Sequence, residues 1–250
     1  MAGIAISELS QLPPAPATAD APGFCTHLTI KPASQGGLEA ERAGWAVTGE
    51  VEIGELTAVS FVGGFEPGTS GSCLLRDGNV GFFVGKALIA VAYAPRSSPL
   101  TVGRIERFGT DGVRIWDGDY LPQPIADVHL DTPDAITIEA LAAKEVFCDG
   151  GAIVPNIYGM PIAEARKTIS QHGWVPVEPA AGEWPDQRSA ELAALGLTEV
   201  TGCSGTGFGF CGFEYRSAQA RLSVSTVGEA QPPATPPVSG YSVTCADGPG

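Results

Sequence analysis

The stretch Val154-Pro-Asn-Ile-Tyr-Gly-Met-Pro-Ile-Ala-Glu-Ala-Arg-Lys-Thr-Ile-Ser-Gln-His-Gly-Trp-Val-Pro-Val177 changes its apolar period twice, and that change decides the fold of the C-terminal part of the chain. It opens on a short extended segment at Val154 and closes on another, Trp174 to Val177. Between them Ile162, Ala165 and Ile169, with the neighbouring His172, recur at intervals of three and four, the spacing of one helical face. Pro161 suits a first helical turn, Glu164 sits where the amide dipoles favour an anion and precedes Lys167, and Gly173 is a natural terminator. The expectation is strand, helix over Pro161 to His172, strand. Ile162, Ala165 and Ile169 should turn toward the strands, with Arg166, Lys167 and Gln171 off the stripe.

Downstream the same order returns, because Ser189 to Leu195 is helical in pattern, ends at Gly196 and passes into Leu197 to Val200 as a strand. Gly173 and Gly196 then stand in equivalent places of a weak αβαβ repeat. Gly207 to Tyr215, Ala220 to Val227 and Tyr241 to Cys245 read as antiparallel strands, with the Pro-rich Gln231 to Gly240 as an exposed loop. Residues 148–250 are therefore expected to form an α+β domain.

Upstream the runs are of strand length: Ala46 to Ile53, Leu56 to Phe65, Val80 to Tyr93, Gly103 to Phe108, Val113 to Trp116, Ile125 to Leu130 and Ile136 to Leu141. Asp77-Gly78-Asn79, Asp111-Gly112 and Asp117-Gly118-Asp119 supply residues that tolerate positive φ between them. A short helix is possible at Leu38 to Gly44. The expectation for residues 24–147 is an all-β sandwich or barrel. Residues 1–23, Ala- and Pro-rich, read as a flexible lead-in, with order beginning near Phe24. Ala17-Thr18-Ala19 before Asp20 looks like an export cleavage site, yet no basic residue precedes it and Glu8 interrupts the apolar run.

Composition bounds the class. Of 250 residues 44% are hydrophobic and 17% charged, enough to bury a core, and 33 Gly with 21 Pro argue for many turns rather than an all-helical bundle. A net charge of −14 repels nucleic acid and anionic membrane. The longest apolar run, Ala87 to Ala94, is eight residues against the roughly 20 a spanning helix needs, so no transmembrane segment is expected. The six cysteines, Cys25, Cys73, Cys148, Cys203, Cys211 and Cys245, form no Cys-x-x-Cys pair, which removes zinc-site spacing and points to disulfides and an oxidising compartment. With three cysteines up to position 148 and three from 203 onward, an odd number of bridges must join the two sets. The pairing chosen among the 15 possible is Cys25 with Cys73, Cys203 with Cys211 and Cys148 with Cys245.

Three stretches could carry chemistry. Gly68-Thr69-Ser70-Gly71-Ser72 resembles the segment around the nucleophile of chymotrypsin-like proteases, which makes Ser70 the one candidate catalytic residue; the only histidine upstream is His27, with no Asp between them. Cys203 to Cys211 is Gly-rich, but without a following Lys or helix it reads as a disulfide-closed loop whose Phe208 and Phe210 pack on the sheet. Trp116, Asp117, Asp119 and Tyr120 bring two aromatics and two carboxylates to one turn, a composition usable for a sugar ring or a calcium ion. These four are the candidate ligand-binding residues. No cofactor and no metal centre is expected.

The Val-Pro-x-x-x-Gly-Met opening at Val154, the Glu164-Ala-Arg helix and the exit through Gly173 resemble the first half of a PASTA domain, over residues 153–177. That family continues with a turn and two strands, whereas here a second helix and Cys203 and Cys211 follow. PASTA domains sit outside the membrane on cell-wall synthases and kinases, where some bind peptidoglycan fragments and others act as spacers. The chain as a whole also resembles an uncharacterised family of exported proteobacterial proteins, through Gly173-Trp-Val-Pro-Val177 and Cys203-Ser-Gly-Thr-Gly207. The resemblances imply a periplasmic or secreted, non-enzymatic binding module of the bacterial envelope with peptidoglycan or an envelope protein as partner. The alternatives are a serine hydrolase using Ser70 and a structural subunit of an envelope assembly.

Overall fold

Leu56 to Val62 shows how the N-terminal part is layered, because apart from Thr57 every residue in it is buried. A strand covered on both faces needs a layer on each side, and both are present in the computed structural model. It describes residues 3–16, 19–132, 135–179, 184–205, 207–230 and 233–246, without the side chains of Ser70, Leu130, Asp131 and Thr132. The elements in order are β1 (Ala5–Glu8), α1 (Gln35–Arg42), β2 (Ala46–Ile53), β3 (Leu56–Val62), β4 (Gly64–Pro67), β5 (Cys73–Arg76), β6 (Asn79–Val84), β7 (Ala87–Tyr93), β8 (Val102–Phe108), β9 (Gly112–Asp117), β10 (Pro124–Thr132) and β11 (Ala135–Glu139). Two antiparallel sheets result, ordered β1-β7-β6-β3-β2 and β11-β10-β9-β8, and β4-β5 is a separate hairpin.

On one face of the first sheet Val59, Phe61 and Phe83 pack with Trp45 and Ala40 of α1; on the other, Ala58, Val80 and Phe82 share a core with Ile105, Val113, Ile115 and Val128 of the second sheet. Polar stitches register the two sheets: the Thr48 hydroxyl donates to Gly103 O at 2.7 Å, and Ile105 N donates to Ser60 Oγ at 3.2 Å. In the second sheet Arg114 and Asp127 stand opposite each other across β9 and β10 and pair through two bonds of 2.7 and 3.0 Å, both buried, with the guanidinium 4.1 Å above the Phe108 ring. Helix α1 starts at Gln35 rather than Leu38 because the Ser34 side chain caps it by accepting from Gly37 N, which outweighs the poor propensity of Gly36 and Gly37.

The lead-in is not the flexible arm expected before Phe24. Ala5–Glu8 pairs with β7 through four residues, from Ala5 opposite Tyr93 to Glu8 opposite Ala90. Further along, Ala15 N donates to Ala43 O, and the Trp45 indole donates to Pro13 O at 2.9 Å. The edge of β7 has main-chain groups to satisfy, and a short alternating segment supplies the partner regardless of the prolines that follow. Ala17 and Thr18, and with them the cleavage-like motif, lie outside the described residues. The long runs also divide: Val80 to Tyr93 breaks at Gly85, whose φ is +57°, and Leu56 to Phe65 breaks after Val62. Asp77 does take positive φ, but at the next turn Gly109 does so instead of Gly112, and Gly118 takes none. Gly118 is required for another reason: a Cβ there would lie 2.9 Å from the Leu75 carbonyl oxygen.

Contacts divide the chain into Met1–Leu141 and Ala142–Gly250. The border precedes Phe147 because β12 (Lys144–Phe147) pairs with β13 (Ala152–Pro155), and the turn between them places Cys148 and Asp149 at positive φ. The second unit continues with α2 (Ile162–Ser170), β14 (Val175–Pro176), α3 (Gln187–Ala194), β15 (Val200–Cys203), β16 (Cys211–Arg216), β17 (Ala220–Thr226) and β18 (Val238–Cys245). β14-β16-β17-β18 form its sheet, with β15 also on β16. The expected helical stripe is the buried one: Ile162, Ala165 and Ile169 are each 0% exposed, packed in one cluster with Trp174, Phe213 and Leu222. His172, placed on that face by spacing, is exposed past the helix end.

Three expectations in this unit are corrected. Leu197 to Val200 is not a strand, since Thr198 and Glu199 form a turn; Glu199 is wholly buried, with its Oε1 accepting from the Tyr215 hydroxyl at 2.7 Å and facing Arg166 Nε at 3.3 Å. The Pro-rich segment is not an exposed loop along its whole length. Thr235 is buried, Pro236 O accepts from Ile162 N at 3.0 Å, and the strand begins at Val238; Gln231 and Pro232 lie outside the described residues. Phe208 and Phe210 stack edge to face on each other at 6.2 Å instead of entering the core, with Phe210 exposed. All six cysteines pair as expected: Cys25 with Cys73, Cys148 with Cys245 and Cys203 with Cys211. Cys148 belongs to the second unit, so its bridge closes that unit on itself.

Candidate functional site

A cleft of about 350 Å³ in the N-terminal unit is lined by residues from five chain segments. The 3-10 turn Thr26–Leu28 contributes His27 and Leu28, and Ile30 follows it. Ser72, Cys73 and Leu75 come from the start of β5 and the residue before it. Thr48 of β2, Arg104 of β8, Asp117 at the end of β9, and Asp119, Tyr120 and Pro122 in the connection to β10 complete the lining. The Cys25–Cys73 bridge ties the first of these segments to β5, and Ile30 N donates to Val47 O at 2.9 Å.

Asp117 is half-buried, and its Oδ1 accepts from Asp119 N at 3.3 Å and Gln123 N at 3.0 Å. Burial nevertheless dominates, and pushes the Asp117 carboxyl above the usual carboxylate range. Asp119 Oδ1 accepts from Tyr120 N at 2.7 Å, and the Tyr120 hydroxyl donates to Glu66 Oε1 at 3.2 Å. Glu66 also pairs with Arg76, whose hydrogen bonds and charge hold its carboxyl low. The guanidinium of Arg104 lies 4.5 Å from the Trp116 ring centroid, opposite it in the β8–β9 register, and its Nε and Nη2 donate to Glu106 Oε1 at 3.2 and 3.0 Å.

Of the four ligand residues expected from sequence, Asp117, Asp119 and Tyr120 line the cleft. Trp116 is not among the lining residues; its ring packs against the Arg104 guanidinium. Ser70 lies in the turn Thr69–Gly71, and its side chain is outside the described residues. The glycines around it have local causes. A Cβ at Gly68 would lie 2.5 Å from the Tyr120 ring, and Gly71 takes a φ of +78°. Gly68 thus lets Tyr120 lie against the main chain beside the cleft. Sequence reading missed Arg104, Thr48 and Leu75 as neighbours of this turn, although a hairpin register setting Arg104 opposite Trp116 would have found the first. Among the described residues no group of three or more His, Cys, Asp or Glu is placed to hold a metal ion, and no helix is long and apolar enough to cross a membrane. Compared with protein-family models, curated proteins and solved structures, the chain matches none.

Proposed function

We propose that this chain is a non-enzymatic binding protein of the bacterial envelope, acting in the periplasm or outside the cell, and that the cleft lined by Asp117, Asp119 and Tyr120 holds its ligand. The observation that carries this reading is the convergence of hydrogen-bonding, charged and aromatic groups from five chain segments on one concavity of about 350 Å³, the low end of the size range of small-ligand sites. Envelope placement is supported by three disulfides, which persist in oxidising compartments, and by the resemblance of residues 153–177 to a domain that works outside the membrane.

The test is retention on purified peptidoglycan and binding of its soluble fragments, comparing the wild-type chain with Tyr120→Ala, beside exposure to a fluorophosphonate. The expected result is binding weakened at least about tenfold by Tyr120→Ala, with no covalent labelling, since a well-placed contact is worth on the order of 1 kcal/mol or more. Retention untouched by Tyr120→Ala would move the ligand site elsewhere. Labelling of Ser70 would replace the binding reading with a serine hydrolase.

A further inference from the structure

The cleft has charges of both signs on its lining, and this limits what can fill it. Asp117 and Asp119 supply carboxylates, Arg104 supplies a guanidinium and His27 an imidazole, with Leu28, Ile30, Leu75 and Pro122 apolar around them. The charged groups are only partly engaged by the protein. Both amides that reach Asp117 bond to Oδ1, and among the described residues Oδ2 receives no donor. Arg104 uses Nε and Nη2 on Glu106, and Nη1 makes no hydrogen bond among the described residues. A ligand that removes these atoms from solvent must supply their hydrogen bonds itself.

A neutral sugar would strip hydration from Asp117 and Arg104 and return only neutral hydrogen bonds. An anion would meet two carboxylates and the negative field of a chain with net charge −14, and a simple cation would meet Arg104. A molecule carrying an ammonium and a carboxylate satisfies both ends with charge-assisted bonds, and a site built around such groups strongly rejects analogues that lack them.

Building on the proposed ligand site, we propose that the cleft selects a small zwitterion, an amino acid or the end of a short peptide, with its ammonium on Asp117 and Asp119 and its carboxylate on Arg104 and His27. The volume of about 350 Å³ limits the occupant to one or two residues.

Calorimetric titration of the whole chain with alanyl-alanine, in its L and D forms, tests this against four comparison probes: free alanine, N-acetyl-alanyl-alanine, alanyl-alanine amide and N-acetylglucosamine. The expected result is that alanyl-alanine or alanine binds and that blocking either charged end weakens binding at least about tenfold. Preference between the dipeptide and the free amino acid identifies the source. Asp117→Asn should remove the penalty for N-acetylation, and Arg104→Gln the penalty for amidation; the blocked-probe comparison on the wild type stands even if a variant fails to fold. Equal binding of blocked and unblocked dipeptide overturns the inference, as does binding of N-acetylglucosamine alone, and either result leaves the cleft as a ligand site. Binding by none of the probes also overturns it, and peptidoglycan retention sensitive to Tyr120→Ala would then still uphold the broader reading.

Discussion

Ile169→Ala is the sharpest test of the second unit, because Ile169 is 0% exposed and stands at the end of the only apolar stripe of α2. The substitution removes three carbons. At about 0.8 kcal/mol per buried methylene the transfer cost alone is about 2.4 kcal/mol, and incomplete collapse of the resulting void brings comparable substitutions to about 2–5 kcal/mol. The void cannot close easily, since the neighbours Ile162, Ala165, Trp174 and Leu192 are all nearly or wholly buried and the Trp174 indole is committed to Ile153 O at 2.7 Å. In a unit of roughly 100 residues, where 1 kcal/mol moves Tm by about 4–8 °C, the transfer cost alone gives an expected drop on the order of 10–20 °C, and the void adds to it. Thermal unfolding followed by near-ultraviolet circular dichroism, with hydrogen exchange to place the loss in residues 142–250, measures it. Ile169→Val, at about 0.5–1.5 kcal/mol, calibrates the scale. A Tm within about 2 °C of wild type for Ile169→Ala would refute the packing, and loss of partner binding at unchanged Tm would make the stripe a docking face.

Asp127→Ala leaves Arg114 buried without its carboxylate and should cost about 3–5 kcal/mol by chemical denaturation, whereas replacing both residues by apolar ones of similar size should cost much less. Removing the Cys148–Cys245 bridge, with a sequence separation of 97, should destabilise by about 4–5 kcal/mol, against about 2.5 kcal/mol for Cys203–Cys211, with a separation of eight; equal losses in melting experiments would contradict a chain-entropy origin. Asp117 is an acid whose folded pKa is raised, so the folded state binds its proton more tightly and this group's contribution to stability falls as pH rises through and just above the ordinary carboxylate range. Asp117→Asn keeps an oxygen for the two amides and should flatten that part of the stability–pH curve while leaving the neutral-pH Tm equal or higher. A lower Tm at neutral pH would mean that the carboxylate charge is stabilising in place.

Legibility in the sequence followed locality. The α2 stripe, its Gly173 end and the strand-sized runs of the N-terminal unit could be read because period and turn residues act within a short window; cysteine parity required only an odd number of bridges between the two sets, and the pairing itself was one choice among 15, which the structure matches. Sequence reading failed where a distant partner overrode local preference. Ala5–Glu8 became a strand because β7 had an open edge, Glu199 was drawn inward by Tyr215 and Arg166, and Pro236 was buried because its carbonyl receives Ile162 N.

The candidate site divides in the same way. Asp117, Asp119 and Tyr120 announced themselves as a polar aromatic turn, and Ser70 drew notice only through glycines that the fold uses for other purposes: Gly71 for its backbone angle and Gly68 for the approach of the Tyr120 ring. What the sequence by itself determined was the mostly β class, the helix that buries Ile169, the oxidisable cysteine set and the turn that carries two carboxylates. Only the tertiary structure decided that His27, Thr48, Leu75 and Arg104 meet that turn across one cleft: the Cys25–Cys73 bridge and the β8–β9 hairpin were each open to sequence reasoning, but the segments they join are far apart in the chain and no local stretch records which of them converge.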